Sequence, residues 1–339
     1  MTAASASGAE AGPTGTTVSA DLLDRRLLFV TGKGGVGKTT VAASLALLAA
    51  QRGKRTLVCE VDAKGNLADF FETGPTTFAA REVQPKLWAM SMNTEESLKE
   101  YLRIQLKVPL LARIGALART FDFVANAAPG VKEILTVGKL CWEVRERHYD
   151  LVVVDASATG HIVGQLAAPQ AIRELVQVGV VRDQTNWMLE ILNDHALTGA
   201  VIVAAPEEMP VTETLELAEA IGAKTGVELA AVVVNRVLPE LFGRGEEEIF
   251  DRLREPDRTE VLATAVGGGS GNGARVEPVL AGAQLAVTLR RSRAGHLTRL
   301  RDELPDELAL LYVPYLFARD HGVRATHQVA AALSDELGY

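Results

Sequence analysis

The chain has 339 residues, 47% of them apolar and 23% charged, with a formal net charge of -8. That length holds one large or two average domains around a real core, and the composition is ordinary for a globular protein. The acidic balance argues against bulk-charge binding to nucleic acid, so no nucleic-acid partner is expected. Only two cysteines occur, Cys59 and Cys141, far apart and without zinc-ligand spacing. They make no disulfide framework, and a reducing cytoplasm fits best.

Residues 1–24 are mostly Ala, Ser, Thr and Gly, without a basic-then-apolar order. They read as a disordered N-terminal tail rather than a signal peptide, with residues 25–339 as a single domain. Leu27-Leu28-Phe29-Val30 reads as a buried strand, and Thr39 to Gln51 as an Ala/Leu-rich helix ended by Arg52-Gly53. Between them stands Gly32-Lys33-Gly34-Gly35-Val36-Gly37-Lys38-Thr39, the G-x-x-x-x-G-K-[ST] phosphate loop (Walker A). Its glycines let backbone amides wrap an anion at a helix N-terminus. Lys38 is expected to reach the β- and γ-phosphates and the Thr39 hydroxyl to ligate Mg²⁺; Thr40 completes the binding set. The cofactors implied are ATP and Mg²⁺. The second lysine, Lys33, makes the loop a deviant Walker A; the bland alternative is a solvent-exposed loop lysine.

The next strand candidate, Arg55 to Glu60, leads into Val61-Asp62-Ala63-Lys64-Gly65-Asn66-Leu67-Ala68-Asp69. Asp62 is the candidate catalytic carboxylate, placed to orient an attacking water; capping a turn is its alternative role. Asp69 is read as solvated. Thr94 to Phe121 and Val163 to Asn193 read as helical insertions forming a layer beside the nucleotide site. Tyr149 to Asp155 is an apolar strand ending in a carboxylate, so Asp155 is expected to hold Mg²⁺ with Thr39. Ala156 to His161 follows as a second phosphate-sensing switch, in which Gly160 allows rearrangement and offers its amide; His161 receives no catalytic role. Further strands are expected at Ala200 to Ala205, Leu229 to Asn235 and Leu310 to Val313. The fold class is therefore α/β, a mostly parallel central sheet flanked by helices, with an added helical layer. Gly267 to Gly273 reads as a glycine-rich surface loop.

Gly-Lys-Gly-Gly-Val-Gly-Lys-Thr, the Asp62 segment ending Asn-Leu-Ala-Asp-Phe-Phe, and Asp-x-x-x-Thr-Gly-His together resemble the ArsA-type anion-transporting ATPases. That group includes the ATPases that target tail-anchored membrane proteins. The resemblance runs from about Arg25 to the C-terminus and looks nearest to the paired ArsA-like ATPases of actinobacteria. It implies a dimer, identical or with an ArsA-like paralogue, in which Lys33 reaches the nucleotide of the facing subunit. It also implies that Asn235 and Pro314 frame the adenine, that Asp62 is catalytic, and that a membrane or client protein is a further partner. The location implied is cytoplasmic or peripheral at a membrane. Three departures stand out: no cysteine cluster for arsenite, no CxxC after Asn235, and Ser157 where the second switch commonly has proline. The competing functions are a carrier for an apolar client that uses hydrolysis as a timer, and a MinD/ParA-like positioning ATPase. The tail from Val323 to Tyr339 lacks the basic amphipathic face typical of the latter.

Overall fold

Near-continuous Val, Leu, Ile and Ala runs require a sheet covered on both faces, and the described residues build one. The computed structural model describes residues 22–62, 66–106, 130–176, 178–240, 242–243, 245–266, 276–317 and 322–339. Its strands are β1 (Leu27–Gly32), β2 (Thr56–Glu60), β3 (Arg81–Gln84), β4 (Leu87–Ser91), β5 (Leu151–Ala158), β6 (Thr198–Ala204), β7 (Leu229–Val237) and β8 (Ala309–Pro314). They lie in the order β3-β4-β2-β5-β1-β6-β7-β8. Among the described residues only the β3–β4 pair is antiparallel.

Side-chain alternation splits each central strand between two cores, as the period of two requires. Leu28 and Val30 face one cluster, which is closed by α1 (Lys38–Gln51) and α11 (Val323–Glu336). Leu27 and Phe29 face the other, closed by α4 (Val131–Arg145), α5 (Thr159–Leu175), α6 (Val180–Leu192) and α7 (Glu208–Lys224). The remaining helices are α2 (Asn66–Phe70), α3 (Thr94–Leu106), α8 (Glu246–Leu253), α9 (Pro256–Val266) and α10 (Val276–Glu303). Among the described residues, no helix is long and apolar enough to cross a membrane.

After β1 the chain first builds outward on one side, to β2 and β4, then fills in β5 and crosses to β6, β7 and β8. Such a reversal opens a crevice beyond the carboxyl end of β1, where ligands of open parallel sheets bind. The phosphate loop sits there.

Several expectations are adjusted. The folded chain includes Leu22–Asp24, a short 3-10 turn whose Leu22 and Leu23 are buried, so the first 24 residues are not uniformly a tail. The helical stretch from Val163 to Asn193 is two helices, α5 ending at Leu175 and α6 beginning at Val180. Gly179 has a φ of 93°, which ends helical continuity at low cost only for glycine. Of Thr94 to Phe121, α3 accounts for the first part, and residues 107–129 lie outside the described residues. The Gly267 to Gly273 loop lies outside them as well.

Candidate nucleotide site

β1 delivers the chain to the crevice with every residue buried. It turns at Gly32, whose φ is 146° and where an added Cβ would fall 2.2 Å from the Val203 carbonyl oxygen of β6. Only glycine fits so close to a neighbouring strand. Gly37, at φ 97°, is the left-handed residue from which α1 starts, and no side chain caps that helix. An added Cβ there would lie 2.3 Å from Asn235 Nδ2. The uncapped first turn leaves backbone donors and the positive end of the helix dipole facing the crevice, the arrangement anions use.

Three strands fix the loop. Asn235, buried in β7, donates from Nδ2 to the Val36 carbonyl at 2.8 Å, and its Oδ1 accepts from the Arg236 amide at 2.9 Å. Thr31 donates to the Ser157 carbonyl at 3.0 Å, tying β1 to the residue that replaces the common proline. The Lys38 ammonium donates to the Lys33 carbonyl at 3.2 Å, across the mouth of the loop.

Thr39, in the first turn of α1, donates to Asp155 Oδ2 at 2.6 Å. Asp155 is only 6% exposed. Burial pushes its carboxyl up to about 6, with neighbouring Glu60 and Asp62 adding to the rise; the Thr39 hydrogen bond and the Lys38 charge oppose it. Glu60 lies opposite Asp155 in the β2–β5 register and is itself buried. Asp62 is exposed, two residues beyond the end of β2, and near enough to act electrostatically on Asp155. Residues 63–65, which follow it, lie outside the described residues.

Thr159-Gly160-His161 is the first turn of α5, running directly out of β5. An added Cβ at Gly160 would have no heavy atom within 4 Å, so this conformation does not itself demand glycine there. Lys33 pairs with Glu213 of α7. Pro314 ends β8 and is exposed, and the next amide, of Tyr315, donates to the Val237 carbonyl at 2.8 Å. The fold thus brings Lys33, Lys38, Thr39, Asp155 and Asn235 together at one end of the sheet. Sequence reading missed the involvement of Glu60 and Glu213. Glu60 carried a faint signal, as a carboxylate closing an otherwise apolar strand. Glu213 carried none, since it lies 180 residues from its partner.

A family model described as anion-transporting ATPase matches residues 25–186 and 175–255. The chain belongs to the ArsA family of anion-transporting ATPases. It is 32% identical over 225 residues to the ATPase BagA of Mycobacterium tuberculosis, covering 63% of this chain and 66% of that one. An ATPase ASNA1 homolog of Entamoeba dispar is 26% identical over 251 residues, 62% of this chain and 76% of its own. The ATPase ASNA1 homolog 1 of Paramecium tetraurelia is 31% identical over 165 residues, covering 44% and 47%. The matched part of this chain thus spans just under two thirds of the mycobacterial relative.

Proposed function

We propose that this chain is a Mg²⁺-dependent ATP hydrolase that works as a nucleotide-closed dimer, of two identical chains or with an ArsA-like paralogue. Hydrolysis is coupled to transport, to a client or to a partner protein. The observation that carries the hydrolase reading is the Thr39–Asp155 contact beneath a glycine loop that opens onto the start of α1. A buried carboxylate raised to about 6 beside a hydroxyl is a pair of hard oxygen donors short of positive charge, which fits Mg²⁺. Thr39 and Asp155 would hold the ion, which would supply neutralisation of charge on the phosphoryl oxygens.

The protein's own groups supply the rest. Amides of Gly34 to Thr40 and the Lys38 ammonium hold the β- and γ-phosphates, keeping the γ-phosphorus in line for attack. Asp62 orients the attacking water, and its side chain is exposed to solvent. Gly160 and the α5 start respond to whether the γ-phosphate is present. Asn235, already anchored to the loop by its amide, and the Pro314 segment form the walls for the base. Lys33 acts on the nucleotide of the facing subunit, where a cation offsets charge developing on the transferred group.

Phosphate release measured with and without EDTA tests this. Lys38→Ala is expected to lose nucleotide binding or turnover. Asp62→Asn is expected to bind ATP like the parent and turn it over at least ~100-fold more slowly. Undiminished turnover by the Asp62 variant would remove that residue from the mechanism.

A further inference from the structure

Glu213 stands in the early turns of α7 with both carboxylate oxygens in use. Oε1 accepts from the Lys33 ammonium, and Oε2 accepts from the Thr159 hydroxyl at 3.4 Å. The lysine side chain is 29% and the glutamate 25% exposed, so the pair is largely withdrawn from water and less screened than a surface pair. Thr159 opens α5, immediately after the strand that carries Asp155. One carboxylate therefore joins the extra lysine of the phosphate loop to the segment that follows the metal-binding strand.

We propose that Glu213 is a latch that holds Lys33 against its own subunit until the dimer closes on ATP. The inference deepens, and rests on, the reading of Lys33 as acting on the facing nucleotide. The ammonium already has an anionic partner within the chain, so reaching outward means exchanging a carboxylate for phosphates. Charge decides that exchange: a triphosphate across the interface outbids one carboxylate, whereas an empty facing site offers nothing. The latch thus sets a threshold that favours closure only when nucleotide is present. The Thr159 bond gives the second switch a hold on that threshold. A shift of the α5 start moves the donor to Oε2 and so changes how firmly Glu213 keeps the lysine. Glu213 is a positioning residue, since it acts through Lys33.

The test uses the full chain, Mg²⁺ and a non-hydrolysable ATP analogue for dimerisation by sedimentation velocity, and ATP for turnover across protein concentrations. Glu213→Gln keeps the acceptor oxygens and removes the charge. It is expected to lower the protein concentration for half-maximal dimerisation by roughly 3- to 10-fold, and to raise turnover in dilute protein by a similar factor. The double variant Lys33→Ala/Glu213→Gln is expected to match Lys33→Ala alone, because the latch then has no lysine to hold. If the Gln variant folds poorly, Glu213→Asp draws the carboxylate back by one methylene and is expected to shift the same curves in the same direction. Parent-like or weaker dimerisation by the Glu213 variants, with Lys33→Ala still impaired, overturns the latch and leaves the action of Lys33 on the facing site standing. Parent-like dimerisation and turnover by Lys33→Ala overturns both.

Discussion

Burial of Asp155 beside Thr39 and Glu60 pushes its carboxyl up to about 6 when no metal is present. A carboxyl raised in the folded state contributes stability that is fully present below its unfolded value near 4 and lost as pH rises through about 6. In EDTA and without nucleotide, Asp155→Asn is therefore expected to be more stable than the parent at pH 7.5, by on the order of 1–3 kcal/mol. The gain should shrink to nothing toward pH 4, while magnesium-dependent turnover is lost at every pH. Thermal unfolding across that range checks it; a variant less stable than the parent at pH 7.5 would contradict the cause assigned to the shift. The two cysteines make the opposite kind of site. Cys59 in β2 and Cys141 in α4 are both wholly buried, and burial pushes both thiols well above their usual range. Two inert thiols make no trithiolate, so turnover should not respond to arsenite or antimonite. Activation abolished by Cys59→Ala or Cys141→Ala would reverse that expectation. At this scale the sequence marks candidates wherever chemistry is local: the phosphate loop, Asp62 and Asp155 each follow or end an apolar run. Glu213 escaped it because an ion pair across 180 residues leaves no mark on its neighbours.

Strands were legible where burial on both faces forces unbroken Val, Leu, Ile and Ala, as in β1, β2, β5, β6 and β7. β3 and β4 were missed for the complementary reason. β3 is Arg-Glu-Val-Gln at the sheet edge, where polar side chains face water and propensity carries little information. β4 follows after only Pro85 and Lys86, and a five-residue run is too short to distinguish from a buried helix turn. α11 shows why a terminal helix cannot be assigned to a membrane by amphipathicity alone. Its apolar face is already committed: Val329, Ala330 and Leu333 are buried in the core that α1 shares, Ala325 is buried as well, and the Ser44 hydroxyl of α1 donates to the Thr326 carbonyl at 3.1 Å. Leu333→Ala is thus expected to cost about 2–5 kcal/mol in urea unfolding, the range for a fully buried leucine. It should leave co-sedimentation with anionic vesicles unchanged. A stable variant that loses vesicle binding would restore the positioning-ATPase reading, with α11 as its anchor.

The whole molecule presents its phosphate loop at the open carboxyl end of the sheet, with Lys33 of that loop paired to Glu213 of α7. With Lys38 proposed for the chain's own nucleotide, the proposed use for the second lysine is outside the chain. Two variants separate action within a chain from action across an interface. Lys33→Ala keeps its own Asp62 but offers no lysine to a partner. Asp62→Asn cannot complete hydrolysis at its own site but still presents Lys33. Each alone should turn over ATP poorly. In a mixed dimer of identical folds, the Lys33→Ala subunit receives the lysine of the Asp62→Asn subunit and regains one complete site. At protein concentrations that saturate dimerisation of both variants, random pairing of equal amounts makes half the dimers mixed, with one working site of two, so about a quarter of parental turnover should return on mixing in a symmetric two-chain assembly. Recovery should follow the product of the two concentrations and vanish on dilution below the dimerisation threshold. Because the facing charges attract only once the interface closes, recovery should also weaken as salt is raised. No recovery from two variants that each bind ATP and form dimers would confine Lys33 to its own chain.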